Sequence, residues 1–423
     1  MRLSFKYIVN NAKDNQVKIV DDLMWHVCKV MNIFTYGIRQ KEFKINFTGS
    51  INLESSKIYK YFRESNWHSK YLHSHTLQEA KQTVIASEKS YNELKKIYEK
   101  DNTSLKGEPK EPRYRNQDMV EVVFTKYAIR HEGKYIKLSL SKEMQKKYQV
   151  KSLNFLISNK LRKLVDFEHV KMIKIRKIQG KIELNIIYEK EEQKVKETNT
   201  NIVGIDLGLT NIVACTNRDN AETLIVSGGP IKSRNRYIME RISYLQKVQM
   251  YMEKDAKYYK NTKQINRLYE KRRNYIETYM HKVSRMVITY AKENNAGKIV
   301  IGDLKDIKQN MDYNKNFVQI PLQNLVEKIK YKAAIEGIEV DYISEKYTSG
   351  VSALDKEEIT KENYDKSRRK YRGLFITNEG KKINADINGS LNIIRKYIKN
   401  SSPNQEIAMD KGREQRPIKK NVA

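Results

Sequence analysis

The pattern of hydrophobic and polar positions divides the first half of the chain into a helical and a strand-rich segment. Residues 1–10 alternate between apolar and polar side chains as a β-strand does, and a helical pattern covers about residues 18–98. Pro109 and Pro112 end that pattern, because proline cannot continue a helix. Short strand-like segments follow, and the last two are joined like a hairpin at Gly180. These segments predict a small β-barrel or sheet.

The second half combines buried strands with long charged helices. It begins after a polar stretch at residues 191–201, which is typical of a linker. Three apolar segments are predicted to be buried strands, at residues 202–207, 298–301 and 338–343. Residues 233–295 predict two long helices inserted between the first two strands.

The charge of the chain indicates its partner. Lys and Arg number 82 against 51 Asp and Glu, so the net charge is +31 and nucleic acid is the expected polyanion. The 28 tyrosines are interleaved with basic residues, as in Arg113-Tyr114-Arg115, which suits base stacking beside phosphate contacts. Arg272 and Arg273 fit helices that follow a nucleic-acid backbone, the alternative being a solvated helical hairpin.

Cysteine content and hydropathy indicate the compartment. Only Cys28 and Cys215 occur, so neither a disulfide framework nor a cysteine-based zinc site can form within the chain. No run of about 18 apolar residues could span a membrane, and the first residues lack the apolar stretch of a signal peptide. We therefore expect a cytoplasmic protein without a membrane partner.

Two aspartates are the first candidates for chemistry. Asp206 interrupts an apolar strand, and a buried carboxylate there needs a partner such as Mg²⁺, unless it only caps the turn after the strand. Asp386 lies where a helix should start and could cap that helix. Asn388 and Asn392 follow at helical spacing, and this polar stripe favours a metal site over a plain cap.

Five segments together resemble the TnpB family, the presumed ancestor of type V CRISPR effectors. They are Gly204-Ile205-Asp206-Leu207-Gly208, residues 279–285, residues 299–304, Tyr347-Thr348-Ser349 and residues 385–393. The resemblance implies an RNA-guided DNA endonuclease in which Asp206 and Asp386 are two of three carboxylates that bind two Mg²⁺ ions. It also implies a guide RNA encoded at a transposon end, and a double-stranded DNA target beside a short motif that the protein reads.

The third carboxylate departs from the family pattern. TnpB proteins usually have a glutamate where this chain has Gly302. One explanation is an inactive nuclease, because a metal site would lose a ligand. A second is that Asp303 turns inward, although strand alternation points it away from the face of residue 302. The third is Glu345, at the end of a neighbouring strand about 4.8 Å away. We favour Glu345, since the sequence resembles a TnpB sub-branch with such a shifted glutamate.

Zinc is a second departure. Many family members carry two CxxC pairs that hold a zinc ion between Thr-Ser and the last motif. Here Ser352 and Asp355 stand at the positions of the first pair, and the second pair is absent. No zinc is predicted, and this segment must fold by packing or on nucleic acid.

The predicted fold is multidomain α+β. A β-barrel wedge domain with an inserted helical recognition lobe precedes an RNase H-like (RuvC) α/β domain, which has a mixed five-stranded sheet and helical insertions. The predicted domains are the wedge at 1–17 and 106–195, the lobe at 18–105, the RuvC-like domain at 200–400 with a helical insertion at 233–295 and a zinc-less target-loading segment at 346–383, and a disordered tail at 401–423.

The predicted activity is hydrolysis of DNA phosphodiester bonds, with Asp206, Glu345 and Asp386 as the catalytic and metal-binding residues. One alternative is a nuclease-dead, RNA-guided DNA-binding repressor, and another is a miniature type V CRISPR effector. A DNA-joining transposase is less favoured, because no strand-transfer site is evident. The sequence leaves open whether the protein is a monomer or a dimer. The predicted nucleic-acid contacts are Arg113, Tyr114, Arg115, Arg234, Arg236, Arg272, Arg273, Arg368 and Arg369.

Overall fold

The chain forms two compact units, Met1–Lys190 and Glu191–Ala423, here called unit 1 and unit 2. The computed structural model describes residues 1–39, 67–178, 180–194, 199–219, 222–252, 262–303, 320–371, 373–401 and 417–422. Parts of the predicted segments therefore lie outside the described residues. They are 40–66 of the recognition lobe, 179 and 195 of the wedge domain, 220–221 and 304–319 of the RuvC-like domain, 253–261 of its helical insertion, 372 of the zinc-less segment, and 402–416 and 423 of the tail.

Unit 1 contains two antiparallel sheets. The first has the order β1-β7-β6-β2 and is built from β1 Arg2–Val9, β2 Val122–Thr125, β6 Val170–Ile178 and β7 Lys181–Glu189. The second consists of β3 Ile129–Glu132, β4 Tyr135–Ser139 and β5 Ser152–Leu156. The hairpin predicted at Gly180 is confirmed, with β6 paired to β7. Among the described residues no ladder joins β1 to β2, so this sheet is open, and the predicted β-barrel wedge is not confirmed.

Five α-helices of unit 1 lie within the described residues. They are α1 Asp14–Arg39, α2 Trp67–Lys70, α3 Ser74–Lys100, α4 Lys142–Tyr148 and α5 Asn159–Leu164. Helix α1 packs against α3 and buries an apolar stripe that includes Leu23, Val27 and the cysteine Cys28. It begins before the predicted residue 18, and Asp14 in its first turn interacts favourably with the helix dipole.

The centre of unit 2 is a mixed sheet of order β12-β11-β8-β9-β10-β15. Its strands are β8 Asn201–Leu207, β9 Asn211–Asn217, β10 Leu224–Ser227, β11 Ala296–Asp303, β12 Glu339–Ser344 and β15 Ile418–Lys420. The first three form an antiparallel meander, whereas β11 is parallel to both β8 and β12. A separate antiparallel pair is formed by β13 Leu374–Ile376 and β14 Lys382–Asn384.

Helices cover both faces of this sheet. They are α6 Gly229–Met252, α7 Lys263–Glu293, α8 Leu322–Ile335 and α9 Ala385–Ser401. One face, with Val203 and Ile205, forms a core with residues of α7 and α8. The opposite face packs on α9, which approaches so closely that a Cβ at Gly204 would lie 2.6 Å from the backbone oxygen of Ser390. Because strand side chains alternate, Asp206 lies on the α9 face.

Two predictions about unit 2 are corrected. The sheet has six strands rather than five, because β15 pairs in parallel with β10. The same pairing orders residues 418–420, which we had expected to belong to a disordered tail. Among the described helices, none is long and apolar enough to cross a membrane.

Candidate active site

Asp206 belongs to the central strand β8, and its carboxylate points towards helix α9. Its Oδ2 atom is so close to the helix that a Cβ at Gly389 would lie only 2.7 Å away. Contacts between a Cβ and another heavy atom below 3.0 Å are not tolerated without movement. Glycine at position 389 therefore leaves the space that the Asp206 carboxylate occupies.

Asp386 reaches the same region from the first turn of α9. The cap of this helix is Asn384, whose Oδ1 accepts hydrogen bonds from the backbone N–H groups of Asp386 (3.0 Å) and Ile387 (3.3 Å). Asp386 is thus not the cap, and its carboxylate is available to other partners. Asn211 Nδ2 donates to its Oδ2 at 2.6 Å, and Arg369 Nη2 donates to its Oδ1 at 2.9 Å.

Glu345 fills the space that Gly302 leaves open. In the parallel register of β11 and β12, Gly302 lies opposite Ile343, and Glu345 follows the end of β12. A Cβ at Gly302 would lie 2.0 Å from Glu345 Oε1 and 2.4 Å from its Cγ. Any side chain at residue 302 would collide with Glu345. The glycine that departs from the family pattern is thus the residue that permits the glutamate from the next strand.

The electrostatics show that these carboxylates share one environment. The pKa of Asp206 is raised well above its usual value, first by burial and then by the negative charges of Glu345 and Asp386, while the Arg369 guanidinium opposes this rise. Burial also raises the pKa of Glu345 to about 7, with a further contribution from Asp303. Glu345 Oε1 is buried and accepts no hydrogen bond within the described part of the chain. Uncompensated buried carboxylates of this kind attract a cation.

The oxygen atoms of the three carboxylates are the kind of ligand that a divalent cation prefers, but their arrangement in this structure is not that of a metal site. Within the described ranges, no three His, Cys, Asp or Glu side chains are arranged to hold a metal ion. Asp206 and Glu345 supply hard oxygen ligands, and Glu345 Oε1 lacks a partner. Asp386, however, is already neutralised by Arg369. The carboxylate oxygen Oε1 of Glu345 is therefore a donor that suits Mg²⁺, whereas Asp386 is engaged by Arg369.

The polar stripe on α9 has a different role from the one that we predicted. Asn388 Nδ2 donates to the backbone oxygen of Val351, and its Oδ1 accepts from the N–H of Ala353. Asn392 Nδ2 donates to the backbone oxygens of Thr348 and Val351. Both amides are buried, and Asn392 Oδ1 also accepts a hydrogen bond from Arg395 Nη1 at 2.7 Å. The stripe therefore anchors the segment after Glu345 to α9 and supplies no metal ligand in this arrangement.

The segment that lacks zinc-binding cysteines is held by polar contacts. Ser352 Oγ accepts from the N–H of Asp355, so the two residues at the expected cysteine positions form one turn. Arg368 Nη1 and Nη2 donate to the two carboxylate oxygens of Glu357 at 2.7 and 2.9 Å. A bidentate pair with side chains only 12% and 15% exposed fixes the geometry of both groups.

The predicted nucleic-acid contacts fall into two groups, and their role stays a prediction. Five side chains are exposed: Arg113, Tyr114, Arg234, Arg236 and Arg273. Three of these also contact protein groups, since Arg39 lies over the Tyr114 ring, Arg234 lies over the rings of Tyr237 and Tyr275, and Arg236 pairs with Glu240. The other four are partly buried: Arg115 donates to Ser87 Oγ, Arg272 donates to Asn235, Arg368 pairs with Glu357 and Arg369 pairs with Asp386. Arg369 is thus part of the carboxylate cluster.

Sequence reasoning missed three contributors to this cluster. Asn211 orients Asp386, Gly389 makes room for Asp206, and Arg369 neutralises Asp386. Asn211 carried a weak signal, since it is a polar residue that opens the strand following the Asp206 motif. The roles of Gly389 and Arg369 depend on contacts between segments distant in sequence, which local sequence patterns do not reveal.

Two parts of the chain match known family models. Residues 185–308 match OrfB_IS605, described as a probable transposase, and residues 323–393 match the Cas12f1-like TNB domain. The solved structures show the class of fold. A Cas12f1–sgRNA–target DNA complex aligns with a TM-score of 0.61 at 15% identity, covering 90% of this chain and 83% of that one. The mini-RNA-guided endonuclease CRISPR-Cas_phi3 aligns with a TM-score of 0.52 at 10% identity, covering 93% and 92%. The chain has a mixed α/β multidomain fold that resembles these effectors.

Two curated proteins are similar in sequence to parts of the chain. A CRISPR-associated endodeoxyribonuclease Cas12f1 of Sulfoacidibacillus thermotolerans is 32% identical over 179 residues, which are 39% of this chain and 40% of that protein. A TnpB-like protein, ORF457 of Acidianus two-tailed virus, is 26% identical over 214 residues, 49% of this chain and 44% of that protein. The chain thus spans less than half the length of these relatives. The resemblance to the TnpB family that the motifs indicated is confirmed by these matches, which add a similarity to Cas12f1 proteins.

Proposed function

We propose that the chain is an RNA-guided DNA endonuclease of the TnpB type that hydrolyses phosphodiester bonds with Asp206, Glu345 and Asp386. The observation that carries this proposal is the position of Glu345 over Gly302, beside Asp206, whose pKa is raised first by burial and then by the charges of Glu345 and Asp386. A glutamate from the neighbouring strand thereby occupies the region in which the family usually has its own. The similarity to a CRISPR-associated endodeoxyribonuclease supports the same activity.

The sheet of unit 2 supports an RNase H-like assignment. An antiparallel meander followed by two parallel strands carries Asp206 on its central strand β8, and the two parallel strands end at Gly302 and just before Glu345. Carboxyl ends of adjacent parallel strands lie at one edge of a sheet, which is where open α/β sheets bind ligands. We propose that unit 2 is the nuclease domain, and that unit 1 contains the wedge and recognition lobe.

The residues of the chain have distinct roles in the proposed reaction. Asp206 and Glu345 would hold two Mg²⁺ ions together with Asp386, and the ions would activate the attacking water and stabilise the leaving oxygen. Asn211 orients the Asp386 carboxylate through its 2.6 Å hydrogen bond. With a pKa of about 7, Glu345 releases its proton near neutral pH and becomes a negatively charged ligand. Arg369 balances the charge of Asp386.

The proposed partners are a guide RNA from a transposon end and double-stranded DNA with a short flanking motif. Base pairing by the RNA would then supply sequence specificity, and the charge of +31 would hold both polyanions. A miniature type V CRISPR effector would use the same chemistry, and a repeat array beside the gene, rather than a transposon end, would identify it.

A nuclease-dead, RNA-guided repressor is the second candidate. The observation that favours it is the Arg369–Asp386 ion pair, which occupies one of the three carboxylates. The same experiment tests both functions. The protein is purified with its native RNA, and Mg²⁺-dependent cleavage of a target plasmid is measured for the wild type, Asp206→Ala and Glu345→Ala. Cleavage that both substitutions abolish supports the endonuclease. Target binding without cleavage by the wild type supports the repressor, and cleavage by Glu345→Ala contradicts the assignment of Glu345.

A further inference from the structure

Unit 1 contains an open surface pocket whose lining includes four large aromatic side chains, Trp25, Trp67, Tyr71 and Tyr148. Its volume is about 600 Å³, which lies within the range of small-molecule sites. Helices α1, α2 and α4 supply most of its lining, and the residues that matter here are Lys18, Trp25, His26, Trp67, Lys147 and Tyr148. Both tryptophans of the chain are among them.

Trp67 presents the principal apolar surface of the pocket. Its side chain is 52% exposed although it is a large hydrophobic group. The ring stacks on His68, with centroids 4.1 Å apart, and lies 5.5 Å from the ring of Trp25. Exposed indole surface gains nothing for the stability of the fold, because burial is what makes apolar area favourable. A half-exposed tryptophan held by other rings is suited to stack on a flat ligand.

His26 supplies a buried polar atom at the base of the pocket. The residue is 1% exposed, and its Nε2 atom has no hydrogen-bond partner in the described part of the chain. Its Nδ1 atom is 3.1 Å from Nδ1 of His68. Burial lowers the pKa of His26 to about 4, so the ring is neutral at pH 7. A ligand that hydrogen-bonds Nε2 would remove the penalty for this unsatisfied group.

Charged groups at the pocket favour an anionic ligand over a cationic one. Asp22 is neutralised by Lys147 at 2.6 Å, and Asp21 by Lys177 at 2.7 Å. Lys18 is exposed and makes no ion pair within the described residues. The Lys147 ammonium also lies 5.5 Å from the ring centre of Tyr148, so a cation already occupies that aromatic face. An external cation would meet positive charge here.

We propose that this pocket binds one unpaired nucleotide of a single-stranded nucleic acid, with its base stacked on Trp67, its polar edge at His26 Nε2 and its phosphate at Lys18. Aromatic stacking and basic side chains together are the means by which proteins bind single strands. The inference rests on the nucleic-acid binding of the proposed function and not on cleavage. It assigns to unit 1 a contact with a base outside any duplex.

Tryptophan fluorescence tests the pocket directly, because both tryptophans line it. The full chain is titrated in EDTA with pentanucleotides of adenosine, as RNA and as DNA, and with abasic pentamers of equal phosphate number. We expect quenching by the adenosine pentamers and little by the abasic ones. Quenching by either adenosine strand supports the proposal, and the tighter strand identifies whether RNA or DNA is preferred.

The matched variants separate stacking from general charge. We expect Trp67→Ala to weaken binding of a labelled adenosine pentamer between roughly 5- and 150-fold, as for the loss of one stacked base. Tyr135→Ala removes a similarly exposed aromatic of unit 1 outside the pocket and should leave affinity unchanged. Equal quenching by abasic pentamers, or unchanged affinity in Trp67→Ala, would overturn the proposal. Quenching by tetramethylammonium alone would instead indicate a cation site. Because Mg²⁺ is absent, failure here leaves the nuclease proposal standing.

Discussion

Replacing Gly302 with alanine tests whether Glu345 works from the neighbouring strand. The added Cβ would lie 2.0 Å from Glu345 Oε1, whereas ordinary contacts begin at 3.4 Å. The carboxylate must therefore move by about 1 Å or more, and a misplacement of about 1 Å can reduce catalysis roughly 100-fold. The fold should tolerate the change, because the displaced atoms belong to a flexible glutamate side chain. We expect Gly302→Ala to cleave a target plasmid about 100-fold more slowly, with little change in Tm.

Two further variants make this test decisive. Gly107→Ala is the matched control, since a Cβ there meets no atom within 4 Å, and it should cleave like the wild type. The double variant Gly302→Glu, Glu345→Gly moves the glutamate to the strand where the family usually has it, and we expect partial recovery relative to Gly302→Ala. Wild-type cleavage rates in Gly302→Ala would refute the reasoning, because Glu345 could then not be needed where it lies.

Three other predictions concern the same cluster. Asn211→Ala removes the hydrogen bond that orients Asp386. We expect the cleavage rate to fall roughly 10- to 100-fold in single-turnover assays. An unchanged rate would contradict that role of Asn211. Gly389→Ala directs a Cβ at Asp206 Oδ2 and should lower the cleavage rate. Its Tm should stay equal or rise, since alanine favours the helix by about 1 kcal/mol. A cleavage rate equal to that of the wild type would argue against this contact. The pKa of Glu345 is about 7 in the folded state against 4.5 when unfolded. The stability that the protonated carboxyl contributes is therefore fully present below pH 4.5 and is lost as the pH rises through 7. In EDTA, Glu345→Gln should be more stable than the wild type above pH 7, by up to about 3 kcal/mol, and denaturant unfolding that shows equal stabilities would count against the raised pKa.

Local sequence patterns identified those parts of the site that strands and helices position by themselves. Asp206 was found because a lone acidic residue interrupts an apolar strand, and Asp386 because it lies at a helix start next to a recognisable motif. Glu345 was favoured by the resemblance to a TnpB sub-branch, and strand order put it within reach, since adjacent parallel strands end at one edge. The hairpin at Gly180 was equally local.

The parts that failed depend on contacts between distant segments. Asn388 and Asn392 have the spacing of a ligand stripe, yet their partners are backbone groups of Val351 and its neighbours together with the Arg395 side chain, which no helical periodicity reveals. The sequence did not distinguish Arg369 from the many other basic residues of a chain with a net charge of +31. Strand β15 consists of exposed, mostly basic residues, and it is ordered by the free edge of β10 rather than by its own hydrophobicity.

Each unit contains one of the two cysteines of the chain, Cys28 in unit 1 and Cys215 in unit 2, and both thiols are buried. Burial also raises the pKa of both thiols, so they react slowly with alkylating reagents until the surrounding structure opens. Mass-resolved alkylation therefore reports the opening of each unit separately, without any engineered label. A ligand that slows alkylation at Cys28 but not at Cys215 acts on the first unit, and the reverse pattern locates it on the second.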